Sequence, residues 1–198
     1  CAEYIYAKQN TETGLWGSTA LHNADPEKTT GGAMKISGAL NSLGYSYKYA
    51  DKALRSIVPL LLEDTVPTNV TYLYNLWSTL SNIKSNMGVE IPNDWYNILY
   101  ENAPQMIAKT SQRNKVFEKA DGGWSYNKSY SPSISQGVNV SLGLSNEGDV
   151  NATVISHTGV TNAMRNTLGL QNNVAFFDRS YFETLKNNLQ NIQPNEKK

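Results

Sequence analysis

Two stretches of this chain match each other in order and spacing, and they restrict the fold more than any other feature. The first runs Gly14-Leu15-Trp16-Gly17, then a loop, then a segment at 34–44 that closes Asn41-Ser42-Leu43-Gly44. The second runs Asp121-Gly122-Gly123-Trp124-Ser125-Tyr126, then a longer loop, then a segment at 159–169 that closes Asn166-Thr167-Leu168-Gly169. A further helix is expected after each, near Tyr49 and near Phe177. Repeated units of this kind stack, because one unit alone cannot bury its apolar stripe. A glycine closing each segment suits a left-handed C-terminal cap, which glycine adopts without Cβ strain.

The apolar periodicity is helical along most of the chain. Ile36, Ala39, Leu40 and Leu43 form a stripe over 33–43. Ala50, Ala53, Leu54, Ile57, Val58 and Leu61 do so over 48–62. Val70, Leu73, Tyr74, Trp77, Leu80 and Ser81 give 68–84 a clear helical face, and Gly88 is expected to stop it. The next helix opens at Ile91-Pro92-Asn93 with Trp95, Ile98, Leu99 and Asn102 inward. Pro104 lacks an N–H and is expected to break or kink it, with another helix following to 119. Residues 1–9 read as a helix end and 10–32 as a polar loop.

Residues 121–148 read as a long, ordered, non-helical stretch. Ile134, Val138, Val140 and Leu142 alternate there as in one short strand pair. The strongest helix is 149–168, with Asp149 as its N-cap and Val150, Val154, His157, Thr161, Met164 and Leu168 as its stripe. A last helix is expected over 177–192, then a polar tail over 193–198. The expectation is one all-α domain over 1–192, an array of helix hairpins with one long irregular loop.

Composition narrows the function classes. Charged residues are 17% of the 198, and the formal net charge is zero. A neutral chain has no electrostatic footprint for nucleic acid. No apolar stretch reaches the ~20 residues that a membrane-spanning helix needs. The single cysteine, Cys1, excludes an internal disulfide. It reads either as the lipid-bearing first residue of a mature bacterial lipoprotein or as the start of a piece of a longer protein. The second is favoured, because residues 3–7 already read as structured.

Gly-x-Trp-Gly and Asp-Gly-Gly-Trp loops ahead of helices rich in small residues resemble the repeats of the α/α-toroid superfamily. It includes squalene and terpenoid cyclases, protein prenyltransferase β subunits and pectate-lyase-type polysaccharide lyases. The resemblance covers both loops and their helices, about half the chain, and implies a toroid or part of one. The chain departs from the family in its chemistry. It has neither the Asp-x-Asp-Asp of squalene-type cyclases nor the Asp-Asp-x-x-Asp of class I terpene synthases. The prenyltransferase zinc site uses Asp, Cys and His, and the one cysteine here is Cys1. The helices are also too few for a closed ring.

The densest polar constellation lies between Asp121 and Arg165, and includes Tyr126, Glu147, Asp149 and His157. A lyase acting on uronic acid sugars needs a cation at the substrate carboxylate and a base at the adjacent carbon, roles open to Arg165 and to His157 or Tyr126. A glycoside hydrolase needs two carboxylates, which Asp121 with Glu147 or Asp149 can supply. Trp124 and Trp16, with Glu147, are candidates for holding substrate. Each residue also has a plainer role. Asp149 caps a helix, Asp121 turns a Gly-Gly loop, and His157 sits in an apolar stripe as a core histidine. Arg165 pairs with a carboxylate, and the tryptophans pack. His22 and Asp25 read as a solvated loop.

His22 and His157 stand far apart with no partner at ligand spacing, so neither a metal nor a cofactor is expected. The preferred expectation is a carbohydrate-active domain of lyase or hydrolase type, gripping an oligosaccharide or polysaccharide where the Gly-Trp loops gather. An extracellular or cell-surface setting is favoured. The alternatives are a non-catalytic domain that packs on the rest of a larger polypeptide, and an isoprenoid-handling toroid.

Overall fold

The computed structural model describes residues 2–86, 93–135, 138–139 and 148–170. Six helices come first: α1 (Ala2–Ala7), α2 (Thr19–Ala24), α3 (Pro26–Ser42), α4 (Ala50–Leu62), α5 (Thr71–Ser85) and α6 (Asn93–Lys115). A two-residue antiparallel ladder follows, β1 (Ile134–Ser135) with β2 (Val138–Asn139), in register Ile134↔Asn139. The described part ends on one helical run. It is made of α7 (Val150–Thr153), a π-helical segment (Val154–Gly159) and α8 (Val160–Leu168). The fold is all-α apart from that ladder.

The helix α5 is the centre of the molecule. It buries Tyr72, Leu73, Leu76, Trp77, Leu80 and Ile83, and also Ser78, Thr79 and Ser81, so it is covered on nearly every side. Burying each large apolar side chain contributes about 1.5–3 kcal/mol. Both α3 and α8 pack along it. Gly31 lies beside Asn75 and Gly38 beside Asn82, so α3 runs parallel to α5. Gly159 lies against the Tyr74 ring, and Lys84 Nζ donates to Thr167 O at 2.9 Å, so α8 runs the same way. A Cβ on Gly159 would stand 3.0 Å from that ring, which is why a residue without one is needed at this crossing.

The helices α4 and α6 form a second layer. Arg55 meets Asp94, Lys109 meets Asp64, and Arg113 Nη1 donates to Leu60 O at 2.8 Å, which makes α4 and α6 parallel to each other. Trp77 Nε1 donates to Thr110 Oγ1 at 2.9 Å while Arg113 stands over Tyr72, which makes α6 antiparallel to α5. Three helices therefore run one way in one layer, and two run the other way behind them.

The two matched helix ends are the same structure. Gly44 N–H donates to Asn41 O at 3.1 Å and Tyr45 N–H to Leu40 O at 2.9 Å. Gly169 N–H donates to Asn166 O at 3.4 Å and Leu170 N–H to Arg165 O at 3.0 Å. The glycines hold φ of 71° and 69°. This is the Schellman arrangement, in which a left-handed residue lets two N–H groups reach back to carbonyls left open by the helix end.

Three expectations are corrected. The stretch 10–32 is not one loop, since it holds α2 and the first turns of α3. Ser18 Oγ caps α2 by accepting from Leu21 N, and Asp25 caps α3 by accepting from Lys28 N, with Pro26 in the first turn. Thr29 to Gly32 are poor helix formers, but the buried Thr29 and Thr30 and the contact of Gly31 with α5 override that preference. Pro104 does not break its helix, for α6 runs from Asn93 to Lys115 through it. Trp95, Leu99, Met106, Thr110 and Arg113 are all buried, and this tertiary burial outweighs one missing hydrogen bond.

The third correction concerns the last helical run. Its buried residues are Ala152, Ser156, Val160, Ala163, Thr167 and Leu168, whereas Val150 is 79% and Val154 55% exposed. Small side chains let the run approach α5 closely, and the π turn shifts the buried face relative to a regular stripe. The expected stop at Gly88, Val140 and Leu142 of the strand pair, the helix at 177–192 and the tail lie outside the described residues. No helix among the described residues is long and apolar enough to cross a membrane.

Candidate functional site

The second Gly-Trp loop is built from the backbone outward. Asp121 Oδ1 accepts from Gly123 N and Oδ2 from Gly148 N, each at 2.9 Å. These bonds, Gly148 first, hold its carboxyl below the usual carboxylate range. The loop and the start of the last helix then cross at two glycines. A Cβ on Gly148 would stand 2.7 Å from the Gly123 backbone, so the crossing admits no side chain there. Trp124 is tied in on both sides of its peptide, its N–H donating to Thr153 Oγ1 and its carbonyl accepting from Asp149 N.

Asp149 is buried and fully engaged. Its Oδ1 accepts from Ala152 N at 2.6 Å as the N-cap of α7, and its Oδ2 accepts from Ser131 Oγ at 3.0 Å. Tyr126 is buried with Val70, Phe117 and Ala152, and its carbonyl accepts from Val70 N. His157, read from the sequence as a core residue, is instead exposed, with its ring 5.6 Å from that of Trp124. Arg165 is half-buried in the last turn of α8, roughly 12 Å further along the run. The candidate residues therefore divide. Asp121, Trp124, Tyr126, Asp149 and His157 share one neighbourhood, whereas Arg165 does not join it. Glu147 lies outside the described residues.

Trp16, in the first loop, belongs elsewhere. Its Nε1 donates to Ile5 O at 2.9 Å, and its ring meets Tyr47 edge-on. His22 Nδ1 lies 2.9 Å from Thr29 Oγ1, and Asp25 caps α3.

A cleft of about 380 Å³ opens beside Trp124, between α6 and the last helical run. Ile107, Val160 and Met164 give it apolar walls, and Lys115 and Glu118 are among the charged groups that line it. Three of its lining side chains carry a buried polar atom without a hydrogen-bond partner among the described residues: Trp124 Nε1, Asn114 Oδ1 and Ser156 Oγ. Ser156 is only 1% exposed. Asn114 is fixed from its other end, its Nδ2 donating to Ser156 O at 3.1 Å. That carbonyl lies in the π-helical segment, where the widened turn leaves backbone groups open to such side chains.

Asn114 and Ser156 carried no sequence signal. Each is a common polar residue at a helical position, and only the meeting of two helices distant in sequence brings them to the cleft that Trp124 lines. No group of three or more metal-ligating side chains gathers among the described residues. No family model, no curated protein and no solved structure matches the chain.

Proposed function

We propose that this chain is a glycan-binding helical domain of α/α-toroid kind, which holds a neutral sugar in the cleft beside Trp124. One observation carries this reading: three of the side chains lining one cleft with apolar walls each hold a buried polar atom that has no partner among the described residues. A buried polar group left unpaired costs about 1–3 kcal/mol. A ligand that supplies the missing partners recovers that cost. The indole N–H needs an acceptor, Asn114 Oδ1 needs a donor, and Ser156 Oγ takes either role. A sugar hydroxyl is donor and acceptor at once, and the C–H face of the ring suits Ile107, Val160 and Met164. Lys115 and Glu118 offset each other, which favours a neutral ligand over a charged one.

Recognition is favoured over catalysis. Hydrolysis of a glycosidic bond uses two available carboxyl groups. Asp121 and Asp149 both have their oxygens committed to N–H or O–H donors that hold the loop together. The arrangement of parallel helices in two opposed layers supports the toroid-like reading of the repeat.

Calorimetric titration with a panel of neutral and uronic-acid oligosaccharides tests this. Saturable binding of a neutral member is expected, with Trp124→Ala abolishing it and Ser156→Ala weakening it about tenfold, the equivalent of ~1.4 kcal/mol. A panel without binding, or binding that survives Trp124→Ala, overturns the proposal.

A further inference from the structure

A second cavity, of about 420 Å³, lies where α3 and α5 begin and α4 and α6 end. Arg113 and Tyr72 line it, and both are nearly inaccessible, at 2% and 3% exposed. Arg113 Nη1 is used, donating to Leu60 O at 2.8 Å. Its Nε and Nη2 have no partner among the described residues, nor does Tyr72 Oη. The two side chains are neighbours, with the guanidinium carbon 5.9 Å from the phenol ring centre. Nε and Nη2 form one edge of the planar fork, the edge that meets both oxygens of a carboxylate side by side.

The acidic side chains around the cavity do not fill that role. Glu27 accepts from Thr68 N, Thr68 Oγ1 and Asn69 Nδ2. Asp25 caps α3 and pairs with Lys28 at 3.0 Å. Asp64 pairs with Lys109. Glu63 also lines the cavity and forms no ion pair with Arg113. The result is a buried cation with no carboxylate of the described residues within ion-pair distance. Burial pulls the guanidinium below its ordinary range, and the fields of Tyr72, Glu63, Asp64 and Glu27 only partly oppose that shift. Leaving one charge of a pair uncompensated in an interior is strongly unfavourable, which makes a bound anion favourable there.

We infer that this cavity is a binding site for a small monocarboxylate, held side-on by Arg113 Nε and Nη2 and capped by the Tyr72 hydroxyl. The carboxylates of Asp25, Glu27 and Glu63 bound the same space. They repel a phosphate dianion more than a monoanion, because Coulomb repulsion grows with charge. The site is independent of the cleft beside Trp124 and stands or falls separately.

Sodium acetate is the probe, titrated at constant ionic strength against sodium chloride, with the arginine side-chain N–H resonances followed by NMR. One arginine Nε resonance is expected to move and saturate. Tyr72→Phe keeps the fold and weakens acetate about fivefold. Glu63→Gln removes a like charge and tightens it. Arg113→Lys, which lacks the fork, loses the response. A linear response without saturation overturns the inference, as does affinity unchanged in Tyr72→Phe or weaker in Glu63→Gln. Inorganic phosphate binding more tightly than acetate overturns the assignment to a carboxylate. The Tyr72 and Glu63 variants decide the matter even if Arg113→Lys does not fold.

Discussion

The two Gly-Trp loops share a motif and differ in what surrounds the indole. In the first, Trp16 Nε1 already has its acceptor, the Ile5 carbonyl, and the ring meets Tyr47. Gly14 lies so close to α4 that a Cβ would stand 2.4 Å from Ala53 N and 2.5 Å from Tyr49 O. In the second, Trp124 Nε1 has no partner among the described residues, and the ring borders a cleft. Gly122 has a φ of 82° but open space where a Cβ would go. The first loop is closed on itself and serves packing. The second has the same backbone device but leaves a donor unused, which is the property a binding site needs.

A pair of alanine substitutions separates the two loops most strongly. Gly14→Ala combines a left-handed φ of 70° with a backbone clash and is expected to cost about 3 kcal/mol or more. Gly122→Ala meets only the left-handed penalty, about 1–2 kcal/mol. Urea denaturation of both variants measures the gap. Equal losses would show that the two loops are equally tight.

A second pair exchanges the indoles. Trp16→Phe strands the Ile5 carbonyl and is expected to lower stability by about 1–2 kcal/mol while leaving sugar affinity unchanged. Trp124→Phe removes a donor that has no partner among the described residues, so its stability cost is expected to be smaller, yet it weakens sugar binding. Thermal melts with parallel calorimetry separate the two effects. The reverse pattern would exchange the roles assigned to the loops.

The smallest expected effect is in pH. His22, beside the first loop, is held below its ordinary value of 6.5 by burial. The unfolded chain therefore takes up a proton before the folded one does. Stability is full above about pH 6.5 and falls as pH drops from there toward the lowered folded value. Asp121, in the second loop, is held below 3.8 by the Gly148 and Gly123 N–H groups. Its contribution is present above about pH 3.8 and is lost as pH falls through the lowered folded value. Stability measured from pH 7 to 3 should show both windows, with His22→Asn removing the upper one and Asp121→Asn reducing the lower one, to which Asp25 also contributes.

Part of this was legible in the residues. The spans of α4 and α5 followed from apolar spacing, and the caps at Asp149, Gly44 and Gly169 followed from residue chemistry. Each depends on a few neighbours along the chain. What failed was of another kind. Pro104 signalled a break that the burial of Trp95, Leu99 and Met106 overrode. The Thr-Thr-Gly-Gly run hid the first turns of α3, because contact with α5 stabilises them. The stripe through Val150 and Val154 assumed a regular helix, and the π turn moved the buried face to Ala152, Ser156 and Val160.

By itself, then, the sequence determined the spans of α4 and α5, the caps at Asp149, Gly44 and Gly169 and the repeated Gly-Trp device, because propensity, capping and φ preference act over a few residues. Only the tertiary structure decided which of the two indoles finds its hydrogen bond within the fold. Trp16 meets a carbonyl eleven residues away. Trp124 instead meets a cleft assembled from α6 and the π-helical segment, together with Asn114 and Ser156. Satisfaction of a buried donor depends on which distant segments pack around it, and no local pattern encodes that.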